Sequence, residues 1–375
     1  MTQDENVKKE AETSTDTPAE ASVEAAKEMS ASPKQLTVGK VVRLSAMIVA
    51  VAAVLFCAGF IGIQLFYKYN LDSYFTKANY KKSTYRLSED LCDAAELIAE
   101  KSEEQIKALP KVYVIPTDQY VAPAPAQENY DKYYKNYEDE TISVHYYSET
   151  HYDALFHFIE VKIAHPSQIR MALAKNTYST NAKKWTQRIA KDVNAVAAID
   201  GCYYNVRNNG ILIYQGKSYR MKAVGWDVLL IDSDGDFHIV KDTEVVKGDI
   251  LEKYDIVNSV TFGPALVLNG KAQKITNVHG YPNTLEPRAA IAQLGKLHYL
   301  LCTVDGRQEH SEGVTQAQLA QILAKKGCES AYNLDGGQSA TLILGNRVKN
   351  SVAYGGQRIL GDILYFATAL ETEDE

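Results

Sequence analysis

The chain has 375 residues, which is enough for one large domain or two modest ones. Its apolar content of 46% and charged content of 23% are ordinary for a globular protein. The net charge of -7 argues against a nucleic-acid partner, because such a partner requires a concentrated basic face.

The N-terminal part of the chain predicts a membrane anchor. Residues 1–36 contain few large apolar side chains and predict a disordered cytoplasmic tail. Residues 44–66 then form an uncharged apolar run, and about 20 such residues cross a bilayer core. With flanking positions, residues 37–69 predict a single-pass signal anchor in the cell membrane, whose partner is the lipid bilayer. The basic residues on the two sides balance, so the length of the C-terminal domain favours an extracytoplasmic location for it.

Two segments separate this span from the rest. Residues 70–110 carry apolar side chains at helical spacing and predict a stalk that Pro110 ends. The stalk is compatible with a homodimer, or with one amphipathic helix that packs on its own domain. Residues 111–140 are rich in Pro, Tyr and charge and predict a linker, so that the globular domain would span residues 141–375.

The domain beyond the linker is rich in strand patterns. The runs "ISVHYYSE" and "ALFHFIEVKIA" are typical of strands, and Asp234-Gly235, Asn269-Gly270 and Leu294-Gly295-Lys296 each predict a hairpin turn. Helical patterns are fewer and cover Ala182–Val193 and Gln316–Lys326. The second is preceded by Thr315, which forms a capping box with the third residue after it. We therefore predict an α+β fold with a mixed, mainly antiparallel sheet and few helices.

Four cysteines beyond the span permit disulfides, and three pairings are conceivable: Cys92, Cys202, Cys302 and Cys328. A bridge between Cys202 and Cys328 would require their strands to be neighbours. The absence of any C-x-x-C pair argues against a structural zinc site formed by these cysteines.

Three stretches combine an apolar run with an Asp and a following glycine: "AAIDGCYYN", "LLCTVDGRQEHSEGVT" and "AYNLDGGQSAT". A single Asp-Gly usually marks a plain turn. In the last stretch, however, Asn333 and Asp335 share one side of a strand, and burying both without partners would cost several kcal/mol. Asp305, Arg307 and Arg288 are open to two interpretations: salt bridges, or a cleft whose guanidinium groups hold an anion.

The order of these motifs resembles the phosphodiester glycosidase family. The matching segments are "AIDGCYYN", "TFGPALVLNG", "PRAAIA", "VDGRQEHSEGVTQ", "AYNLDGGQSATLIL" and "GGQR", within roughly residues 150–368. The chain departs from the family pattern at Asp200, Cys202, Ala289 and Gln338, where the family has Asn, Gly, Thr and Gly.

The resemblance implies a hydrolase that cleaves the glycosidic bond of a sugar-1-phosphodiester, of the N-acetylhexosamine type, in a surface or extracellular glycan. No cofactor is expected, and a metal requirement stays undetermined. Alternatives are a carbohydrate-binding surface protein of weak activity and a sugar-phosphate transferase in exopolysaccharide assembly.

The implied catalytic residues are Asp335, Asp305 and Arg288. The two carboxylates would activate water or stabilise an oxocarbenium ion, and the guanidinium group would hold the phosphodiester. The implied substrate-binding residues are Asp200, Asn205, Arg307, Asn333, Gly336, Gly337, Ser339 and Arg358.

Overall fold

The computed structural model describes residues 114–275 and 282–370, all within one compact unit, Asp72–Glu375. The predicted tail, membrane span and stalk lie outside the described residues. Within the described ranges, the helices are too short or too polar to cross a bilayer.

The described residues form short helices and many strands. The helices are α1 (Thr186–Asp192), α2 (Asp242–Lys247), α3 (Asp249–Lys253) and α4 (Gln316–Lys325). The strands are β1 (Asn136–Glu138), β2 (Ile142–His151), β3 (Ala154–Ile163), β4 (Ile169–Leu173), β5 (Lys184–Trp185), β6 (Ala197–Asp200), β7 (Gly210–Tyr214), β8 (Lys217–Lys222), β9 (Asp227–Asp232), β10 (Phe237–Lys241), β11 (Ile256–Val260), β12 (Ala265–Leu268), β13 (Lys271–Ala272), β14 (Arg288–Gly295), β15 (His298–Val304), β16 (Ser330–Asn333), β17 (Leu342–Leu344), β18 (Arg347–Val348), β19 (Ile359–Leu360) and β20 (Asp362–Phe366).

The strands form two main sheets. One has eight strands in the order β1-β2-β3-β15-β14-β16-β12-β13, and the other has five in the order β18-β17-β6-β20-β4. A three-stranded sheet, β10-β9-β11, and two strand pairs, β5–β19 and β7–β8, complete the domain. Every strand pairing in the described ranges is antiparallel, which confirms the predicted mainly antiparallel sheet with few helices.

The core lies between the two main sheets and on their outer faces. One cluster joins Ile291 and Leu301 of the eight-stranded sheet to Ile199 and Leu364 of the five-stranded sheet. Because side chains alternate along a strand, the neighbours of these residues face outwards and pack against α4 on one side and α1 on the other. The order of layers is therefore helix, sheet, sheet, helix.

Most local predictions are confirmed. The three predicted hairpin turns connect β9 to β10, β12 to β13 and β14 to β15. Helix α4 begins after Thr315, whose hydroxyl accepts a hydrogen bond from Gln318 N in a capping box. The predicted helix over Ala182–Val193 is too long, because Lys184 and Trp185 instead form β5 and pair with β19.

Part of the segment expected to be a linker packs on the domain. Ile115 and Ala122 are buried, and Arg170 of β4 donates a hydrogen bond to the carbonyl of Pro116 at 3.3 Å. Strand β1 also lies within this segment and extends the eight-stranded sheet. Ordered structure therefore begins before residue 141.

The three cysteines in the described ranges are buried and free. Cys202 belongs to the core between the sheets, whereas Cys302 and Cys328 belong to the cluster beneath α4. Since Cys202 and Cys328 lie on opposite faces of the eight-stranded sheet, the conceivable bridge between them is absent from the described structure.

Candidate active site

The candidate site lies where the two main sheets end together. Asn333 ends β16 of the eight-stranded sheet, and the chain continues into the loop that bears Asp335. Asp200 ends β6 of the five-stranded sheet, and Asp362 begins the adjacent strand, β20. The backbone N–H of Asp335 donates to the carbonyl of Gly201 at 3.3 Å, which brings the two loops together.

The glycine pair is explained by close packing against the start of β14. A Cβ atom on Gly336 would lie 2.6 Å from the carbonyl oxygen of Pro287, which is closer than real Cβ contacts. Gly337 has φ of +63° and donates its N–H to the same carbonyl at 2.9 Å. A Cβ on Gly337 would also lie 3.4 Å from Arg307 Nη1. Only glycine fits this turn without rearrangement.

Three carboxyl groups meet at this point. Asp200 Oδ1 accepts the N–H of Thr341 at 2.9 Å, and Asp362 Oδ2 accepts the N–H of Cys202 at 2.9 Å. Asp335 lies in front of them and is 8% exposed, whereas Asp200 and Asp362 are completely buried. In each of the three groups, one oxygen is buried and has no hydrogen-bond partner among the described residues.

The three carboxyl groups differ in how readily they ionise. Burial raises the pKa of Asp200 well above its ordinary value, and the charge of Asp335 adds to this shift. Burial raises the pKa of Asp362 to about 6, despite the N–H of Cys202. Burial also raises the pKa of Asp335, but Ser339 and the guanidinium groups of Arg358 and Arg207 oppose the shift. Ionisation is therefore strongly disfavoured at Asp200, whereas nearby positive charge favours the ionised form of Asp335.

Two arginines provide the positive charge near Asp335. The guanidinium carbon of Arg207 lies 5.2 Å from the ring centroid of Trp226 and 5.0 Å from that of Phe262. Arg358 lies over the ring of Tyr203 at 4.4 Å and donates to its hydroxyl. Stacking holds a guanidinium in place while its N–H groups stay available to an anion, and Arg207 Nη1 has no partner among the described residues.

The other two predicted arginines have protein partners. Arg288 is buried, and its Nε and Nη2 donate to the carbonyls of Val314 and Thr284 at 2.9 and 2.8 Å. Burial lowers its pKa to about 10. Arg307 Nε donates to the carboxylate of Glu286 at 2.6 Å. These contacts place Arg288 beneath the loop before α4, while Arg307 borders the glycine turn.

Asp305, predicted as catalytic, is the centre of a separate cluster. Its Oδ2 lies 3.1 Å from His157 Nε2 and 3.0 Å from His310 Nε2, and its Oδ1 accepts the N–H of Ser351 at 2.9 Å. Burial opposes ionisation of Asp305, but these three partners lower its pKa below the ordinary value. Asp305 is thus ionised and holds the backbone at Ser351 by a hydrogen bond. The structure shows no direct contact between Asp305 and Asp335.

The two predicted asparagines are buried beside the carboxyl groups. Asn333 Nδ2 donates to the carbonyl of Gly263 at 2.8 Å, which leaves its Oδ1 without a partner in the described ranges. Both amide atoms of Asn205 also lack partners there, and Gly361 must be glycine because a Cβ would lie 2.7 Å from Asn205 Cγ. Buried polar side chains almost always have a hydrogen-bond partner, so buried amide atoms without one favour a ligand-binding role.

Sequence reasoning missed Arg207 and Asp362. Arg207 stands two residues after Asn205, and Asp362 stands four residues after Arg358, so both directly follow segments that were singled out. In the described ranges, no three His, Cys, Asp or Glu side chains are arranged to hold a metal ion.

Comparison with known proteins agrees with the motifs. A sequence model of a family described as phosphodiester glycosidase matches residues 193–367, which confirms the family resemblance. The SPbeta prophage-derived uncharacterized protein YomE of Bacillus subtilis (strain 168) is 27% identical over 240 residues, covering 60% of this chain and 37% of that protein. The chain thus spans little more than a third of this relative's length.

One solved enzyme domain shares the fold, and a second solved structure is similar to the chain at a lower TM-score. The zebrafish N-acetylglucosamine-1-phosphodiester alpha-N-acetylglucosaminidase catalytic domain, auto-inhibited by its pro-peptide, is 17% identical with a TM-score of 0.50, covering 66% of this chain and 87% of that one. A hypothetical protein from Synechocystis is 15% identical with a TM-score of 0.49, covering 60% of this chain and 62% of that one.

Proposed function

Because residues 193–367 match the sequence model of the phosphodiester glycosidase family, we propose that the protein hydrolyses the glycosidic bond of a sugar-1-phosphodiester. The observation that carries the proposal is the arrangement around Asp335. The nearly buried carboxyl group of Asp335 has an unpaired oxygen in the described ranges, and the stacked guanidinium groups of Arg207 and Arg358 are close enough to favour its ionised form. The two guanidinium groups can hold an anionic phosphate, and the Asp335 carboxyl group can act on the carbon atom bonded to that phosphate.

The proposed reaction separates the phosphate from the anomeric carbon. Arg207 and Arg358 hold the phosphodiester, so that the anomeric carbon faces Asp335. The bond between this carbon and the phosphate oxygen breaks, its electron pair leaves with the phosphomonoester, and positive charge develops on the sugar. Asp335 stabilises that charge and accepts a proton from the attacking water, whose oxygen becomes the free anomeric hydroxyl.

Burial makes Asp335 a better base. It raises the pKa of this carboxyl group, and the complete burial of Asp200 and Asp362 behind it keeps local electrostatic interactions strong. Asn205 and Asn333 are the proposed partners of sugar hydroxyls, since their amide atoms are buried and unpaired in the described ranges.

We also propose that the enzyme is anchored in the cell membrane and acts outside the cytoplasm. The uncharged run over residues 44–66 supports this location. An N-acetylhexosamine-type glycan is the proposed substrate, in line with the name of the zebrafish enzyme.

The test is sugar release by the full chain in detergent. A panel of hexose- and N-acetylhexosamine-1-phosphodiesters is incubated with the wild type, with Asp335→Asn and with Asp118→Asn, which alters an exposed carboxylate. We expect free reducing sugar from the wild type and Asp118→Asn, and at least about a hundredfold lower kcat for Asp335→Asn. Binding of the phosphodiesters without release by the wild type would instead indicate a carbohydrate-binding protein.

A further inference from the structure

Large apolar side chains are exposed next to the candidate active site. Val206 lies between Asn205 and Arg207, and Ile359 directly follows Arg358. We use the name apolar rim for four such residues, each more than a third exposed: Trp185, Val206, Val224 and Ile359.

Backbone contacts hold the rim residues next to the two arginines. Ile359 pairs with Trp185 across the ladder between β19 and β5. Val224 and Gly225 donate their N–H groups to the buried carboxylate of Asp242 at 2.9 and 2.8 Å. This anchors the short segment that presents Trp226 to the guanidinium of Arg207. The rim is thus built on hydrogen-bonded backbone.

The chemistry of a phosphodiester determines what would contact these side chains. Its phosphate carries two substituents, and in the proposed function the sugar extends inwards to Asp335. The second substituent, the aglycone, must therefore leave the phosphate outwards, past the residues that flank Arg207 and Arg358. These residues are Val206 and Ile359, neither of which offers a side-chain hydrogen bond.

We propose that the apolar rim binds the aglycone and that this aglycone is an aliphatic chain of lipid type, so that the substrate is a lipid-linked sugar-1-phosphodiester. The proposal rests on the proposed function. A hydrocarbon chain gains from contact with these exposed side chains because the apolar surface of both leaves water, whereas a sugar or peptide aglycone has less apolar surface to bury and finds no side-chain hydrogen-bond partner in Val206 or Ile359. Complete burial of one methylene group multiplies an equilibrium constant by about fourfold, so several partly buried groups produce a large preference.

The experiment compares synthetic phosphodiesters that share one sugar and differ in the aglycone, which is methyl or decyl. The full chain is assayed for free reducing sugar at one fixed detergent concentration, with both esters at the same concentrations. The variants are Val206→Ser and Ile359→Ser. The matched control is Val246→Ser on α2, because Val246 is 48% exposed and Val206 is 50% exposed.

For the wild type we expect kcat/KM to be at least about tenfold higher for the decyl ester than for the methyl ester. Val206→Ser and Ile359→Ser should each reduce this ratio to less than about half, and Val246→Ser should keep the wild-type ratio. Equal rates for both esters, or a ratio that neither rim variant changes, would overturn the proposal that the apolar rim binds the aglycone. The proposed function would still stand. Release of sugar from neither ester, nor from the panel above, would overturn both.

Discussion

Asp362→Asn should make the stability of the protein less sensitive to pH. Asp362 is completely buried, and its pKa in the folded protein is about 6, compared with about 3.9 in an unfolded chain. Because the folded state holds this proton more tightly, the contribution of Asp362 is most favourable below pH 4 and is lost as pH rises through 6. About two pKa units correspond to roughly 3 kcal/mol.

The substituted side chain isolates this effect. Asn is nearly isosteric, and its Oδ1 can still accept the N–H of Cys202, but it does not titrate. Urea unfolding of both proteins in one detergent, followed by circular dichroism at pH 4.5, 5.5, 6.5 and 7.5, gives the difference in free energy of unfolding. We expect this difference to shift in favour of Asp362→Asn by about 2 kcal/mol across the series, since part of the full effect lies below pH 4.5.

A pH-independent difference between the two proteins would refute the reasoning. It would mean that Asp362 already ionises below pH 4.5, and that the carboxyl groups behind Asp335 carry more charge than their burial allows. Asp118→Asn, an exposed substitution, serves as the baseline and should follow the wild type at every pH.

Three further outcomes follow from single contacts. Gly336→Ala should cost about 1–3 kcal/mol in urea unfolding, because its Cβ would meet the Pro287 carbonyl, whereas Gly295→Ala has open space and should cost less than about 1 kcal/mol. Arg207→Lys should raise KM for the phosphodiester about tenfold, since the lysine ammonium cannot stack on Trp226 as the planar guanidinium does. Arg188→Lys, at an exposed position, should leave steady-state kinetics unchanged. Tyr332→Phe should lower the unfolding free energy by about 1–3 kcal/mol, because the buried hydroxyl donates to Asp227 O at 2.7 Å and accepts Phe262 N–H at 2.9 Å. Thermal denaturation measures this loss, and Tyr133→Phe, at an exposed position, gives the baseline.

Local sequence patterns predicted local structure well. The capping box at Thr315 and the turn at Asp234-Gly235 depend on hydrogen bonds between residues only a few positions apart, so the pattern contains all the partners. The same holds for the alternating strands β2 and β3. The motifs also sufficed to indicate the family, which the match over residues 193–367 confirms.

The roles of individual charged residues depended on partners distant in sequence. Arg288 and Arg307 were expected to hold the phosphodiester, but their guanidinium groups contact the Val314 carbonyl and the Glu286 carboxylate. Asp305 was expected to be catalytic, and its carboxylate contacts His157 of the distant strand β3 as well as His310, five residues further along the chain. Spacing along the chain does not show which side chains meet.

The sequence by itself determined the antiparallel strand pattern, the helix cap and the family resemblance, because each depends on neighbouring residues or on the order of motifs. Only the tertiary structure showed that Asp362 and Arg207 accompany Asp335. Asp362 reaches this point from β20 and Asp335 from the loop after β16, and the two strands belong to different sheets. The ionisation of such a group is decided by burial and by charges across the fold, and these exist only once the two sheets have packed together.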